Sequence, residues 1–160
     1  MMHAWFTCKI CYEKQLENGM NKKVTEPYLV DALSFTEAEA RIIEEMTPYI
    51  SGEFTVADVT RARYSELFYA DDASADRWYK VKMAFVVLDE KSGSEKKTYT
   101  NVLVQAADLR DAVKRLDEGM KGTMADYIIV SVAETAIMDV YPYEADPDVK
   151  PEFAEEVVYE

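Results

Sequence analysis

The residues best suited to chemistry stand near the start of the chain, where Cys8-Lys-Ile-Cys11 forms a CxxC pattern with His3 close by. Two thiols and an imidazole could hold a zinc ion or run a redox cycle. The spacing argues against both uses. The surrounding residues alternate as a strand does, so the two thiols face opposite sides, and His3 lies about 26 Å from Cys11 at roughly 3.3 Å per residue. We therefore predict no metal site and no cofactor, and interpret Cys8 as a small core residue.

The sequence also lacks other common combinations of catalytic residues. His3 is the only histidine, which excludes sites that need two, and a residue so near a terminus is a poor catalytic base. The five glycines form neither a GxGxxG motif nor a Walker loop to hold phosphates. We lean towards a protein that is not an enzyme. Carboxylate pairs remain as possible acids and bases, although acids in a linker or on a strand's outer face are usually only solvated; the candidates are Asp71, Asp72 and Asp76, Asp58 with Glu66, and Glu134 with Asp139.

A tryptophan and a lysine occur together twice. Trp5 and Lys9, like Trp78 and Lys82, are four positions apart and so share one face of a strand. These four candidate binding residues could grip an anionic or aromatic group of a partner. The alternative interpretation is that each tryptophan seals the edge of the core while its lysine extends over it.

The C-terminal segment is a second candidate binding element. Residues 144–160 carry seven acids and one lysine, a composition typical of flexible, solubilising tails. Phe153 and Val157 would nevertheless share one side of a short helix. The alternative hypothesis is that this acidic tail docks into a groove of a partner.

These residues belong to a sequence that repeats itself. The order of elements that begins at Trp5 returns from Trp78, at an offset of 73 positions that becomes 74 after one extra residue in the second hairpin. Such a repeat predicts two like units, each too small to bury its apolar face alone, that share a core as a pseudo-twofold unit. At the offset of 74, Gly19, Lys22, Lys23, Leu29, Val30, Ala32, Ala38, Arg41 and Met46 are matched by Gly93, Lys96, Lys97, Leu103, Val104, Ala106, Ala112, Arg115 and Met120.

Local patterns predict the elements of each unit. Asn18-Gly19 and Ser92-Gly93 suit the turns of two hairpins, and Pro27 predicts a sheet edge or a bulge in the second strand. Ser34 and Glu37 form a capping box in which the glutamate reaches back to the serine amide, and Asp108-Leu-Arg-Asp111 is a weaker version. Each cap opens a helix with one apolar stripe.

A third strand completes each unit and sets the predicted architecture. It is expected over 54–68 and over 127–140, lengths that call for a bulge. We predict an α+β fold of largely antiparallel sheet covered by two helices. The predicted divisions are a ββαβ repeat at 1–69, a linker at 70–77, a second ββαβ repeat at 78–143 and an acidic tail at 144–160.

Composition narrows the possible partners. The 160 residues carry a net charge of −13, which repels phosphate backbones and argues against direct binding to nucleic acid. No stretch has the roughly 20 apolar residues of a membrane helix, and the start lacks the apolar region of a signal peptide. We expect a cytoplasmic protein that does not bind membranes, and two cysteines suit a reducing compartment.

Long strings of the chain are similar to a known family. WFTCKICYEK, KKVTEPYLVDALSFTEAEARIIEEM, DRWYKVKMAFVVLDEKSG and NVLVQAADLRDAV, with their WYK and DEK motifs, resemble an uncharacterised domain-of-unknown-function family of gut bacteria of the Bacteroides type and their phages. The resemblance covers residues 2–143. It implies a cytoplasmic protein of bacterial or phage type, and it transfers no functional residue because the family has no assigned activity.

Three functions are consistent with this sequence. The leading hypothesis is a non-catalytic interaction or self-assembling protein that binds another protein or a second copy of itself as a homo-oligomer. One alternative is an acidic decoy that imitates DNA and inhibits a nucleic-acid enzyme. The other is a small-ligand binder or carboxylate-based hydrolase in a groove between the two repeats.

Overall fold

Residues 3–143, the part of the chain that this computed structural model describes, form an α+β fold of two helices and two four-stranded, mostly antiparallel sheets. The predicted α+β class, with largely antiparallel sheet and two helices, is confirmed. The predicted tail at 144–160, with Phe153 and Val157, lies outside the described residues. The elements in chain order are β1 Ala4–Gln15, β2 Asn21–Ala32, α1 Phe35–Met46, β3 Phe54–Ala62, β4 Glu66–Phe68, β5 Arg77–Leu88, β6 Glu95–Ala106, α2 Leu109–Gly119, β7 Tyr127–Glu134 and β8 Val140–Tyr141.

Two long hairpins, β1–β2 and β5–β6, form the centres of the sheets. Gly19 and Gly93 have φ of +84° and +72° in the two turns, a conformation that glycine adopts without steric cost. Within β2, Pro27 pairs with Lys9 without a register shift, so the alternative of a bulge is wrong. Its carbonyl accepts a bond from the amide of Met138 at 2.9 Å, on the side away from β1. The missing N–H faces that same side, so proline removes no bond between β1 and β2.

The two helices begin at the predicted caps. The Ser34 hydroxyl accepts a bond from the Glu37 amide at 3.1 Å, and the Asp108 carboxylate accepts one from the Asp111 amide at 2.8 Å. The expectation that Glu37 returns to the Ser34 amide is wrong. Because Ser34 is extended, the Glu37 carboxylate reaches one residue further back and accepts a bond from the Leu33 amide at 2.7 Å.

The prediction of one long third strand is wrong in both halves. β3 and β7 contain the expected bulge, where Ala57 and Val130 are skipped in the register, but both strands end where their partners β1 and β5 begin. With no backbone left to pair, the chain crosses to the other sheet. β4 then pairs in parallel with β6, and β8 pairs in parallel with β2.

Through this crossing, each half of the chain contributes one strand to the sheet of the other half. The first sheet has the order β3-β1-β2-β8, and the second sheet, taken from its other side, has the order β7-β5-β6-β4. β8 follows β7 in the chain but completes the first sheet, and β4 follows β3 but completes the second. Each sheet is thus built from both halves.

Apolar side chains form three clusters in the described residues, in place of the single shared core that the repeat predicts. One cluster lies between α1 and the first sheet, around Cys8, Val30 and Ile42, and an equivalent one lies under α2. The third, here called the inter-sheet cluster, contains buried Leu29, Trp78, Leu103 and Val140, with half-buried Trp5, Ala62, Tyr64, Leu67 and Ile137 packed against it. It lies on the sheet faces that the helices leave free. No helix among residues 3–143 combines the length and apolarity that a membrane span requires.

Candidate interaction surface

The predicted tryptophan and lysine residues separate into an inner and an outer pair. Trp78 is only 4% exposed within the inter-sheet cluster, and half-buried Trp5 packs against the same cluster. Lys9 and Lys82 lie four residues further along their strands, on the same faces as the tryptophans, and are exposed. The structure therefore brings the tryptophans to one cluster and leaves the lysines on two different sheets.

Lys82 differs from Lys9 in what surrounds it. Its Nζ lies 4.9 Å from the ring centroid of Tyr99, a cation–π distance. Tyr99 pairs with Ala84 on β5, and at the equivalent place in the first sheet Cys11 pairs with Thr25. The second sheet thus presents an aromatic ring where the first sheet presents a small hydroxyl.

Exposed apolar side chains show the same difference between the sheets. Within residues 3–143, no large apolar side chain on β1, β2 or β3 is exposed, whereas several on β5, β6 and β7 are. At offsets of 73 and 74, the first-sheet counterparts are polar or small: Gln15, Thr25, Thr55 and Ala57. We call the following residues the open face of the second sheet: Lys82, Leu88 (62% exposed), Tyr99 (55%), Ile128 (44%) and Val130 (46%).

The open face continues to the edge of the sheet. β7 is the last strand of the second sheet in the described part of the chain, and its segment 127–133 has no charged side chain. The equivalent edge strand β3 carries exposed Asp58 and Arg61. Charges on an edge strand discourage pairing with another chain, so β7 is the edge that remains open to a partner.

The cysteines and the histidine have local roles. The prediction that Cys8 is a core residue is confirmed: the side chain is fully buried, its Sγ donates to the Ala38 carbonyl at 3.9 Å, and burial raises the pKa of the thiol to about 12, with a smaller effect of Glu39. His3 lies 3.6 Å from the Asp31 carboxylate, and its ring packs against that of Tyr143 with centroids 3.9 Å apart and planes inclined by 49°. Over residues 3–143, no group of three or more His, Cys, Asp or Glu side chains is placed to hold a metal ion.

Several predicted carboxylates meet at one groove of about 450 Å³, which is lined by the segment that connects β4 to β5 and by residues just before β8. Asp71, Asp72, Asp76 and Asp139 line it, together with Trp78 and other residues. A bond from the Ser74 amide lowers the pKa of Asp72, and the Arg115 guanidinium, 3.5 Å away, acts in the same direction. A general acid needs the opposite shift. Asp58, Glu66 and Glu134 lie elsewhere, on β3, β4 and β7.

A larger groove of about 820 Å³ lies beside the turn end of the first hairpin, next to Gln15 and Asn21. Its lining includes Cys11, Lys14, Tyr49 and Phe54. Tyr12 at its wall donates to the Glu26 carboxylate at 2.9 Å, and burial is the main cause of the raised pKa of this tyrosine. Sequence analysis missed this groove because it depends on how the segment after α1 folds back over the hairpin.

Sequence analysis also gave no role to Arg41 and Arg115, although they match at the offset of 74. Arg41 donates to the carbonyls of Asp31 and Pro142, the latter at 3.0 Å. Arg115 donates to the Asp111 carboxylate at 2.7 Å and lies 3.5 Å from Asp72. Each arginine thus holds the chain segment that follows an exchanged strand.

Comparison with known proteins gives a family of unknown function. No curated protein matches the chain. Residues 4–143 match the family described as "Domain of unknown function (DUF4494)", and the chain therefore belongs to that family.

Proposed function

We propose that this protein is a non-catalytic interaction protein whose binding surface is the open face of the second sheet together with the β7 edge. The observation that carries the proposal is the difference between the two sheets. Leu88, Tyr99, Ile128 and Val130 are exposed where the first sheet has polar or small residues. A fold that tolerates threonine at these positions does not need tyrosine or isoleucine there.

We also propose that the chain is a tandem duplication with pseudo-twofold packing. The equivalent order of strands, the reciprocal exchange of β4 and β8, and the bulges at Ala57 and Val130 support this origin. The duplication makes the first sheet an internal reference. Buried positions keep an apolar residue in both halves, as at Leu29 and Leu103. Exposed positions at which the halves differ in polarity are free to serve binding.

The exposed side chains can supply useful affinity. Full burial of a large apolar side chain contributes roughly 1.5–3 kcal/mol, so each half-exposed residue of the open face can add about 1 kcal/mol on binding. An added strand would also satisfy the unpaired backbone groups of β7. The four apolar residues together give about 4 kcal/mol, the size of a millimolar affinity, so specific binding depends on the added strand and on further contacts as well.

The test compares three forms of the full-length chain on a solid support, in lysate of a gut bacterium of the kind that the resemblance implies. The second-sheet variant, Tyr99→Thr/Ile128→Thr/Val130→Ala, carries the residues of the equivalent first-sheet positions. The control variant, Thr25→Ala/Thr55→Ala, alters the first sheet at two of the same places. We expect quantitative mass spectrometry to find a protein that the parent and the control capture, and that the second-sheet variant captures about tenfold less or weaker still.

Two results would contradict the proposal. One is a captured set that is the same for all three forms, which would place binding elsewhere on the molecule. The other is no specific capture by the parent in any growth condition, combined with a monomeric state in light scattering. The acidic decoy and the small-ligand or hydrolase hypotheses stay predictions, and the grooves of about 450 and 820 Å³ are where a ligand would be sought.

A further inference from the structure

The open face of the second sheet combines apolar side chains with positive charge, on a chain whose net charge is −13. Lys80 and Lys82 on β5 and Lys97 on β6 alternate onto this face and are exposed. Glu95 shares the face at the hairpin end, opposite Leu88. A fitting occupant therefore carries both apolar and acidic side chains.

The C-terminal segment has this composition. Residues 144–160 carry a net charge of −6 and include Phe153, Val157, Val158 and Tyr159. We propose that this segment binds the open face of the second sheet, with its apolar side chains against Tyr99 and Ile128 and its acids near Lys80 and Lys82. This inference rests on the proposed function and names one occupant of the proposed surface.

The chain is long enough for this contact. The described residues end at Tyr143, whose ring packs against His3 and has the Arg41 guanidinium carbon 5.6 Å from its centroid. The 17 residues that follow can span roughly 55 Å when extended, against a radius of gyration of roughly 15 Å for a domain of this length. The segment can therefore reach the face of its own chain, and equally that of a second copy.

A second copy of the sheet itself fits this face less well. Pairing of two β7 edges would bring two chains of charge −13 together through segments 127–133, which themselves offer no acid to the lysines of the open face. The C-terminal segment supplies those acids. Electrostatic attraction of exposed groups makes such a contact sensitive to ionic strength.

Nuclear magnetic resonance on the full-length chain tests the proposal from both sides. The first variant, Phe153→Ser/Val157→Ser, removes apolar side chains of the segment, and we expect the amide resonances of 127–133 and of Tyr99 to move. The second, Tyr99→Thr/Ile128→Thr, alters the open face, and we expect the resonances of 152–160 to move. The control Thr25→Ala/Thr55→Ala should leave the resonances of 152–160 in place. If the first two variants move only resonances next to their own substitutions, the proposal is overturned.

Salt and concentration give two further readings. Raising sodium chloride from about 0.05 to 0.5 M should reduce the reciprocal shifts, because screening weakens the contacts of Lys80 and Lys82. Shifts that salt does not change would overturn the role of these lysines. Shifts that are independent of protein concentration assign the segment to its own chain, and shifts that grow with concentration assign it to a second copy.

This experiment and the lysate experiment can fail separately. If the resonances do not respond but capture still depends on Tyr99 and Ile128, only the inference about the C-terminal segment is wrong. If neither the segment nor any captured protein depends on these residues, the proposed function is wrong as well.

Discussion

Cys8 and Cys11 show how one strand gives the same residue type two environments. The two residues lie on opposite faces of β1, with Cys8 fully buried under α1 and Cys11 half-buried at the groove wall. A thiol reacts as its thiolate, so a pKa of about 12 makes Cys8 inert at ordinary pH. The two thiols of the CxxC pattern therefore face different surroundings, and only Cys11 is accessible from the surface.

We predict that iodoacetamide at pH 8.5 modifies Cys11 and leaves Cys8 unmodified in the native chain. Mass spectrometry after digestion measures both sites, and urea-unfolded protein, in which both thiols react, is the control. Since the folded-state pKa of Cys8 is raised above 9.0, its contribution to stability is present below pH 9 and is lost as pH rises towards 12. The Cys8→Ala variant should accordingly lose less stability over that range than the parent. Equal labelling of the two native thiols would contradict this assignment.

Gly119 makes a contact that helix propensity does not reveal. A Cβ at this position would lie 2.6 Å from the ring of Phe68, a residue of the exchanged strand β4. Alanine is ordinarily better than glycine in a helix, by up to about 1 kcal/mol in the interior and by less at the last residue of α2, where Gly119 lies. Here we predict the opposite sign, a loss of about 1 kcal/mol for Gly119→Ala in urea unfolding, because the ring must move. In the Phe68→Leu background the same substitution should be neutral or stabilising, and a loss of equal size in both backgrounds would contradict the contact.

At the scale of elements, the exchange of β4 and β8 ties the stability of each sheet to the other half of the chain. The Leu29 amide donates to the Asp139 carbonyl at 3.0 Å, and the Ser65 amide donates to the Asn101 carbonyl at 2.8 Å. Leu67 of β4 and Val140 of β8 add apolar contacts in the inter-sheet cluster. If β4 or β8 detaches from its sheet, the chain segment that joins it to the other sheet is disturbed as well.

We predict that Val140→Ala weakens the first sheet although Val140 belongs to the second half of the sequence. The cost should be about 2 kcal/mol in urea unfolding, typical of a large-to-small change in a core. Hydrogen exchange should show faster exchange at Leu29, whose amide donates to the Asp139 carbonyl next to β8. The control is Met138→Ala, an exposed site beside β8 that should leave this amide unchanged. Unchanged exchange at Leu29 in Val140→Ala would mean that β8 does not stabilise β2.

Sequence patterns could predict the elements but not the crossing. Strand alternation, the Ser34 and Asp108 caps and the glycine turns all depend on residues close in the chain, and each is confirmed. The ends of β3 and β7 depend on where β1 and β5 begin, and no local pattern encodes that. The open face could be found in the sequence only by comparing the halves for their differences at Thr25 and Tyr99, whereas the repeat is recognised by its identities.

At the scale of the whole molecule, the question is how much the exposed apolar residues of the second sheet contribute to the free energy of unfolding. We predict that Tyr99→Thr/Ile128→Thr/Val130→Ala lowers the free energy of unfolding by about 1 kcal/mol or less, since these side chains are already half-exposed and the first sheet folds with the same residues. Leu103→Ala in the inter-sheet cluster should by itself cost about 2–5 kcal/mol. Urea unfolding of the full-length chains measures both. If the three surface substitutions cost as much as Leu103→Ala, these residues serve the fold, and the difference between the sheets no longer supports a binding role.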